Sequence, residues 1–215
     1  MAATWRLTPD LPAFANGQRY VSNGGKLRER FSDPDASWGH RSAVSTRKGG
    51  GFYGYKIDLA VCTSTGLPIA WQIRSARHHE SLYVATLLDA ICARGVRPET
   101  VALDKGDDNN RVYAECEARK CSPVIPLRGA KAQTVIPLTT GGRLFPHIAR
   151  HTQRFRDLYR GRAAVEREFG RLKNDYGLAP LRVRGLSRVT CHADLTILAR
   201  LSLALLREQT MAAAA

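Results

Sequence analysis

Residues 52–73 read FYGYKIDLAVCTSTGLPIAWQI. Two runs of strand-forming residues, Phe52 to Val61 and Leu67 to Ile73, surround Thr63-Ser64-Thr65-Gly66, a cluster of turn formers. That pattern predicts an antiparallel hairpin. Beyond it the periodicity changes. Leu82, Ala85, Leu88 and Ile91 recur at helical spacing, with Ser81 placed to cap the first turn and Gly95 to stop the last. Val101-Ala102-Leu103 then reads as a short strand ending at Asp104. A helix is expected from about Val112 to Arg119, and another short strand from Pro123 to Pro126. Strands alternating with helices behind a hairpin predict a mixed α/β sheet.

Further along, residues 129–150 lack periodicity and read as a loop or insertion. One long helix is expected from Arg154 to Tyr176, then a turn through Pro180 and Gly185, then a second helix from Ser187 to Arg207. These form a C-terminal helical pair. Leu195, Ile197, Leu198, Leu201, Leu203, Leu205 and Leu206 put apolar groups on most sides of the last helix, which calls for burial in the core or against a partner. On the amino-terminal side, residues 8–51 are rich in Pro, Gly, Asn, Ser and charge, so Asp33 and Asp35 are read as turn formers in a loop. The expected organisation is a loop-rich arm or remnant of a first strand over 1–51, a core over 52–207 and a disordered tail over 208–215.

With 215 residues, 44% of them hydrophobic, the chain can bury one real core. Lysine and arginine number 33 against 19 acids, a formal charge of +14. More than half of that excess falls between His147 and Arg207. Such a field gathers polyanions, so nucleic acid is the leading partner class, DNA or RNA alike on composition. No run has signal-peptide length and none reaches the roughly 20 apolar residues of a membrane span, so a cytoplasmic protein is expected. Cys62, Cys92, Cys116, Cys121 and Cys191 fall at irregular spacings and suit free thiols better than a metal finger. Gly49-Gly50-Gly51 lacks the Gly-Lys-Ser/Thr ending of a phosphate loop, and the run from Asp104 to Asn110 has its glycine at the wrong place for a calcium loop. His78 and His79 read as part of a loop before a helix.

Chemistry concentrates on the long C-terminal helix. At about 100 degrees per residue, Tyr159, Arg162, Glu166 and Lys173 share an arc of about 60 degrees. Leu158, Val165, Phe169 and Leu172 form an apolar stripe beside them, and Arg156, Arg160, Arg167 and Arg171 lie on the far side. Glu166 is thus expected at the edge of a packed core. Asp104 ends an apolar strand, where a rigid sheet presents a carboxylate into a cleft. A carboxylate from a strand end and one from a helix can bind divalent metal at a phosphodiester, and magnesium, a hard ion, suits oxygen ligands.

The run Tyr159, two residues, Arg162, three residues, Glu166, six residues, Lys173 resembles the Y-R-E-K signature of DDE transposases of bacterial insertion sequences, spacing included. Asp33-Pro34-Asp35-Ala36-Ser37-Trp38-Gly39, Phe52-Tyr53-Gly54-Tyr55-Lys56, Gly66-Leu67-Pro68, Glu80-Ser81 and Asp104-Lys105-Gly106 look like successive landmarks of the same family, and the resemblance covers about residues 10–207. It implies an RNase H-like fold, a hairpin-bearing sheet flanked by helices, and an Asp, Asp, Glu triad holding Mg2+ or Mn2+. Asp104 and Glu166 take the second and third places. The first normally closes an apolar strand, whereas residues 1–10 read MAATWRLTPD with hardly any such strand, and Asp10 is the only acid in the right region. The resemblance also implies that Tyr159, Arg162 and Lys173 contact transposon-end DNA. Family members commonly carry a helical DNA-binding region before the core, so an N-terminally truncated chain is expected.

The expectation is a metal-dependent transposase with catalytic Asp10, Asp104 and Glu166. It would cut double-stranded DNA at the element's ends and join them to target DNA, as a homodimer on the DNA because transfer needs two ends. Two competing readings are a remnant that binds DNA without cutting it, and an RNase H-like nuclease acting on RNA in a hybrid.

Overall fold

The computed structural model describes residues 2–7, 33–41, 50–77, 82–128 and 141–214. The chain is a mixed α/β protein with two small sheets and several helices. Strand β1 (Ala2–Leu7), β2 (Ser37–Arg41), β3 (Gly50–Val61) and β4 (Pro68–Ser75) form a four-stranded sheet in which β1, β2 and β4 all pair with β3. The predicted hairpin is β3 and β4. Its turn closes through the Gly66 amide to the Cys62 carbonyl and the Cys62 amide to the Leu67 carbonyl, both 2.9 Å, with Gly66 at φ +70, where a side chain would be strained. Every residue of β3 from Phe52 to Val61 is buried, the charged Lys56 and Asp58 included, so the strand is covered on both faces.

Two strands lie in the stretch read from the sequence as a loop-rich arm or remnant of a first strand. β1 exists although residues 1–10 show little of a strand signal, and β2 pairs antiparallel with β3 from Ser37 opposite Gly54 to Arg41 opposite Gly50. Strand formation here is decided by the long partner β3 and not by local propensity.

Contacts divide the chain into two compact units, one of Met1–Thr4, Asp58–Trp71 and His79–Glu168, the other of Trp5–Ile57, Gln72–His78 and Phe169–Ala215. In the first unit, α1 (Val84–Ala93) buries Val84, Leu87, Leu88 and Ile91, a stripe at i, i+3, i+4 and i+7. It is shorter at its start than predicted; Tyr83 stands at its N-cap without a side-chain bond, and Ser81 lies outside the described residues. Strand β5 (Thr100–Ala102) pairs parallel with β6 (Ser122–Val124), and α2 (Asn110–Ala118), capped by the Asn109 side chain on the Val112 amide, crosses between them. The α1 stripe meets Ala60, Ala70, Val101, Leu103, Val112, Tyr113, Cys116, Cys121 and Ile125 in one apolar cluster. Burial pushes the Cys116 thiol up to about 12 and Cys121 to about 11, so both are inert neutral thiols. Beyond residues 129–140, which lie outside the description, comes α3 (Gly141–Leu144).

The single helix expected from Arg154 to Tyr176 is two: α4 (Gln153–Arg160) and α5 (Ala163–Asn174). Between them the Arg162, Ala164 and Val165 amides bond to the carbonyls of Tyr159, Gly161 and Arg162, three residues back in each case. This is a turn of 3-10 helix, wound more tightly than an α-helix, so a wheel drawn at uniform pitch loses register across it.

In the second unit, α6 (Leu186–Ala214) continues past the expected end at Arg207, because its alanine-rich tail is a strong helix former. Val189, Ala193, Thr196, Ile197 and Arg200 make its buried face. Leu195, Leu198, Leu205 and Leu206, 54–61% exposed, lie on the opposite side. Leu186–Ala213 is apolar and long enough to cross a membrane by length and composition, where the sequence reading expected no such stretch. Only 28% of its apolar window is buried, less than in a core helix, although its inner face is packed on its own protein. Asp33, read as a turn former, is fully buried instead. It accepts from the Tyr55 hydroxyl at 2.6 Å and the Gly185 amide at 3.2 Å, while Asp35 accepts from the Leu186 amide at 2.9 Å. Two carboxylates thereby take up orphan donors at the positive end of α6.

Candidate functional site

Asp104 follows the buried run Val101-Ala102-Leu103, which the Leu103 amide extends by a bond to the Val124 carbonyl at 3.2 Å. The residue is extended, φ −72 and ψ 158, and caps a 3-10 turn over Lys105–Asp107: its Oδ1 accepts from the Lys105 amide at 2.8 Å. One oxygen is thus fixed to the backbone. The other, Oδ2, stands 3.6 Å from Arg162 Nη2, an ion pair beyond hydrogen-bonding distance.

Arg162 occupies the turn between α4 and α5. Its Nη1 donates to Glu166 Oε1 at 2.8 Å, one helical turn on. The guanidinium therefore touches both carboxylates, through different nitrogens. Its side chain is 21% exposed, each carboxylate 58%, and Arg162 Nε is buried with no hydrogen-bond partner among the described residues. Glu166 lies in the first turn of α5, where the helix dipole favours an anion. Tyr159 packs with Leu158 against Ala102, Val124, Ile148 and Phe155, and its ring stacks on Phe155 at 6.1 Å. Burial raises its hydroxyl above the ordinary tyrosine value; Asp104 and Glu166 add to that, and Arg162 opposes it.

Of the residues singled out in the sequence, Asp104, Tyr159, Arg162 and Glu166 come together in the first unit. Lys173 stands two turns beyond Glu166 on α5, in the second unit, and is half-buried. Asp10 lies outside the described residues, as do His78, His79, Glu80 and Ser81.

Just behind Asp104 is a polar knot that sequence reasoning missed. Asp108, its side chain fully buried, accepts from Arg143 Nε and Nη2 at 2.9 and 2.7 Å, from the Arg128 amide at 2.7 Å and from the Tyr113 hydroxyl at 3.2 Å. Arg150 donates to the Tyr113 hydroxyl, to the Ile125 carbonyl and to the Arg143 carbonyl. Burial alone would raise the Asp108 carboxyl, but these bonds more than offset it and hold the group below its usual range. Nothing in the run from Asp107 to Asn110 marks Asp108 as the anchor, because its arginine partners lie 20 and 35 residues away and the Tyr113 hydroxyl, five residues on, carries no such signal. The contact of Arg162 with Glu166 did carry a signal: opposite charges at i and i+4.

A family model described as transposase DDE domain matches residues 19–202, a span that holds Asp104, Tyr159, Arg162, Glu166 and Lys173 and begins after Asp10. The chain belongs to the transposase DDE domain family. No curated protein and no solved structure matches it. The divalent metal that such a transposase domain implies can be tested against the residues present. Among the described residues, no three His, Cys, Asp or Glu side chains are grouped for a metal. Asp104 and Glu166 nevertheless offer two hard oxygen donors, each half open to solvent and gathered around one positive charge. That donor set fits part of the shell of a magnesium or manganese ion.

Proposed function

We propose that this domain is the RNase H-like catalytic core of an insertion-sequence transposase, acting in the cytoplasm on double-stranded DNA at the element's ends and at the target. The observation that carries the reading is the gathering of Asp104, from a strand end, and Glu166, from a helix, on one guanidinium. Asp104 and Glu166, with Asp10, would hold Mg2+ or Mn2+. A divalent ion held there supplies Lewis-acid polarisation of the phosphodiester and an activated nucleophile.

The chain's own residues do the positioning. Asp104 is fixed by its bond to the Lys105 amide, so its other oxygen, the one that faces Arg162, keeps one direction. Arg162 offers a planar fork suited to phosphate, and Lys173 a point charge. Tyr159, raised by burial, stays protonated at neutral pH and can donate to a phosphate oxygen. Cleavage frees a 3′-hydroxyl, whose in-line attack on a target phosphodiester transfers the strand. Two ends must meet, so a homodimer on DNA follows from the reaction.

The test is nicking and strand transfer on a duplex carrying the element's terminal sequence, with Mg2+ or Mn2+, comparing wild type with Asp10→Ala, Asp104→Ala and Glu166→Ala. The expected result is metal-dependent activity lost in all three. Retention of binding with no cleavage by the wild type would leave a DNA-binding protein in place of an enzyme.

A further inference from the structure

Arg162 is held in an unusual compromise. Its Nη1 and Nη2 face two different acids, one at hydrogen-bonding distance and one outside it, while its Nε is buried with no partner among the described residues. A buried donor left unpaired is a penalty carried by this placement. The residue also sits in the 3-10 turn between α4 and α5, next to Gly161, where the backbone bonding changes pattern. So the guanidinium offsets only part of the charge of Asp104 and Glu166, and is itself not fully satisfied there.

We propose that Arg162 is a built-in counter-cation of the Asp104–Glu166 pair, which a divalent ion must displace, and that passing this guanidinium to a DNA phosphate links metal binding to DNA binding. The inference rests on the metal-and-DNA reading of the site. The physical argument is competition for the same oxygens. The Asp104 and Glu166 carboxylates that Arg162 now faces are the groups that would hold a dication, so ion and guanidinium would compete for them, and two positive charges gathered there would repel. A phosphate oxygen beside the site offers the guanidinium a bidentate partner. Each ligand then lowers the cost of binding the other, and the linkage is reciprocal by thermodynamic necessity.

The experiment is Mn2+ titration of the full chain by calorimetry, on wild type, Arg162→Gln, Arg162→Lys and Asp104→Asn/Glu166→Gln, with and without a short mixed-sequence duplex. The site-specific part is what the double carboxamide variant loses, which also removes metal bound by the duplex itself. Without DNA, Arg162→Gln is expected to bind Mn2+ about tenfold more tightly than wild type, within the usual range of coupling factors. Arg162→Lys, which keeps the charge, should stay near wild type. Duplex should tighten Mn2+ binding to wild type and leave Arg162→Gln little changed.

Equal Mn2+ affinity of wild type and Arg162→Gln would overturn the proposal, as would an Arg162→Lys as tight as the glutamine variant. If no variant differs from the double carboxamide, the metal reading of the site fails as well, an outcome distinct from the other two. Should Arg162→Gln not fold, the wild type alone decides: Mg2+ must shift the Arg162 Nε–H resonance in a nitrogen-15 spectrum, and a resonance unmoved at saturating Mg2+ overturns the idea.

Discussion

Asp108 and Asp104 stand four positions apart and show how environment divides the work of one residue type. Asp104 is more than half exposed and ends in an open direction; Asp108 is sealed, with every described partner a donor. Truncating Asp108 to alanine strands the Arg143 charge and should cost about 3–5 kcal/mol in urea unfolding. The pH dependence has a fixed sign. A carboxyl held below its unfolded value adds stability that is complete above about pH 4, and that stability drains away as the pH falls through the folded value. The stability gap between wild type and Asp108→Asn should therefore narrow below about pH 4, and a gap constant down to pH 2 would refute the assignment. Cys62 gives a second residue-scale prediction. Bonds from Ser64 and then Thr65 outweigh burial and bring its thiol down to about 7. Thiol labelling at neutral pH should show a fast phase, with a midpoint near pH 7, that vanishes in Cys62→Ser. Cys116 and Cys121 should label only on unfolding.

Elements were legible in the sequence to the extent that their causes are local. The hairpin β3–β4 and the presence of α1 declare themselves by spacing and turn chemistry, but the buried stripe of α1 shares only Leu88 and Ile91 with the one expected, and Leu82 is exposed. β2 does not, since Ser37–Arg41 includes a glycine and becomes a strand only by lying against Gly50–Gly54. The division of α4 from α5 was hidden as well: Gly161 sits at φ −53, ψ −23, a helical conformation, and only the shift of bonding to three residues back reveals the junction. The contact of Arg162 with Glu166 was legible from spacing, because the pair lies within one turn. Asp104, 58 positions before Arg162, is marked by its place at a strand end and by the family resemblance, and no local pattern ties it to Arg162. The two faces of α6 make an element-scale prediction. Ile197→Ala on the buried face should cost about 2–4 kcal/mol, whereas Leu198→Gln or Leu205→Gln on the opposite face should stay within about 0.5 kcal/mol by the same urea measurement.

At the scale of the whole molecule, the charge of +14 sets how the protein meets DNA. Affinity should fall linearly on a log–log plot against salt, and replacing the exposed Arg154, Arg156 and Arg160 of α4 by alanine should flatten the slope by about one for each phosphate that these side chains neutralise. An unchanged slope would move the DNA path elsewhere on the chain. Both compact units are assembled from separated stretches, and the hairpin and α5 each supply residues to both. No single cut along the chain isolates either one. The bond from the Gly185 amide to Asp33 spans 152 residues. On the ribosome, at about 5–20 residues per second, Asp33 must wait roughly eight to thirty seconds for the Gly185 amide to be made. Through that interval both acids have been made while the Gly185 and Leu186 amides they accept from have not, so the start of the last helix can be tied to Asp33 and Asp35 only when synthesis is nearly finished.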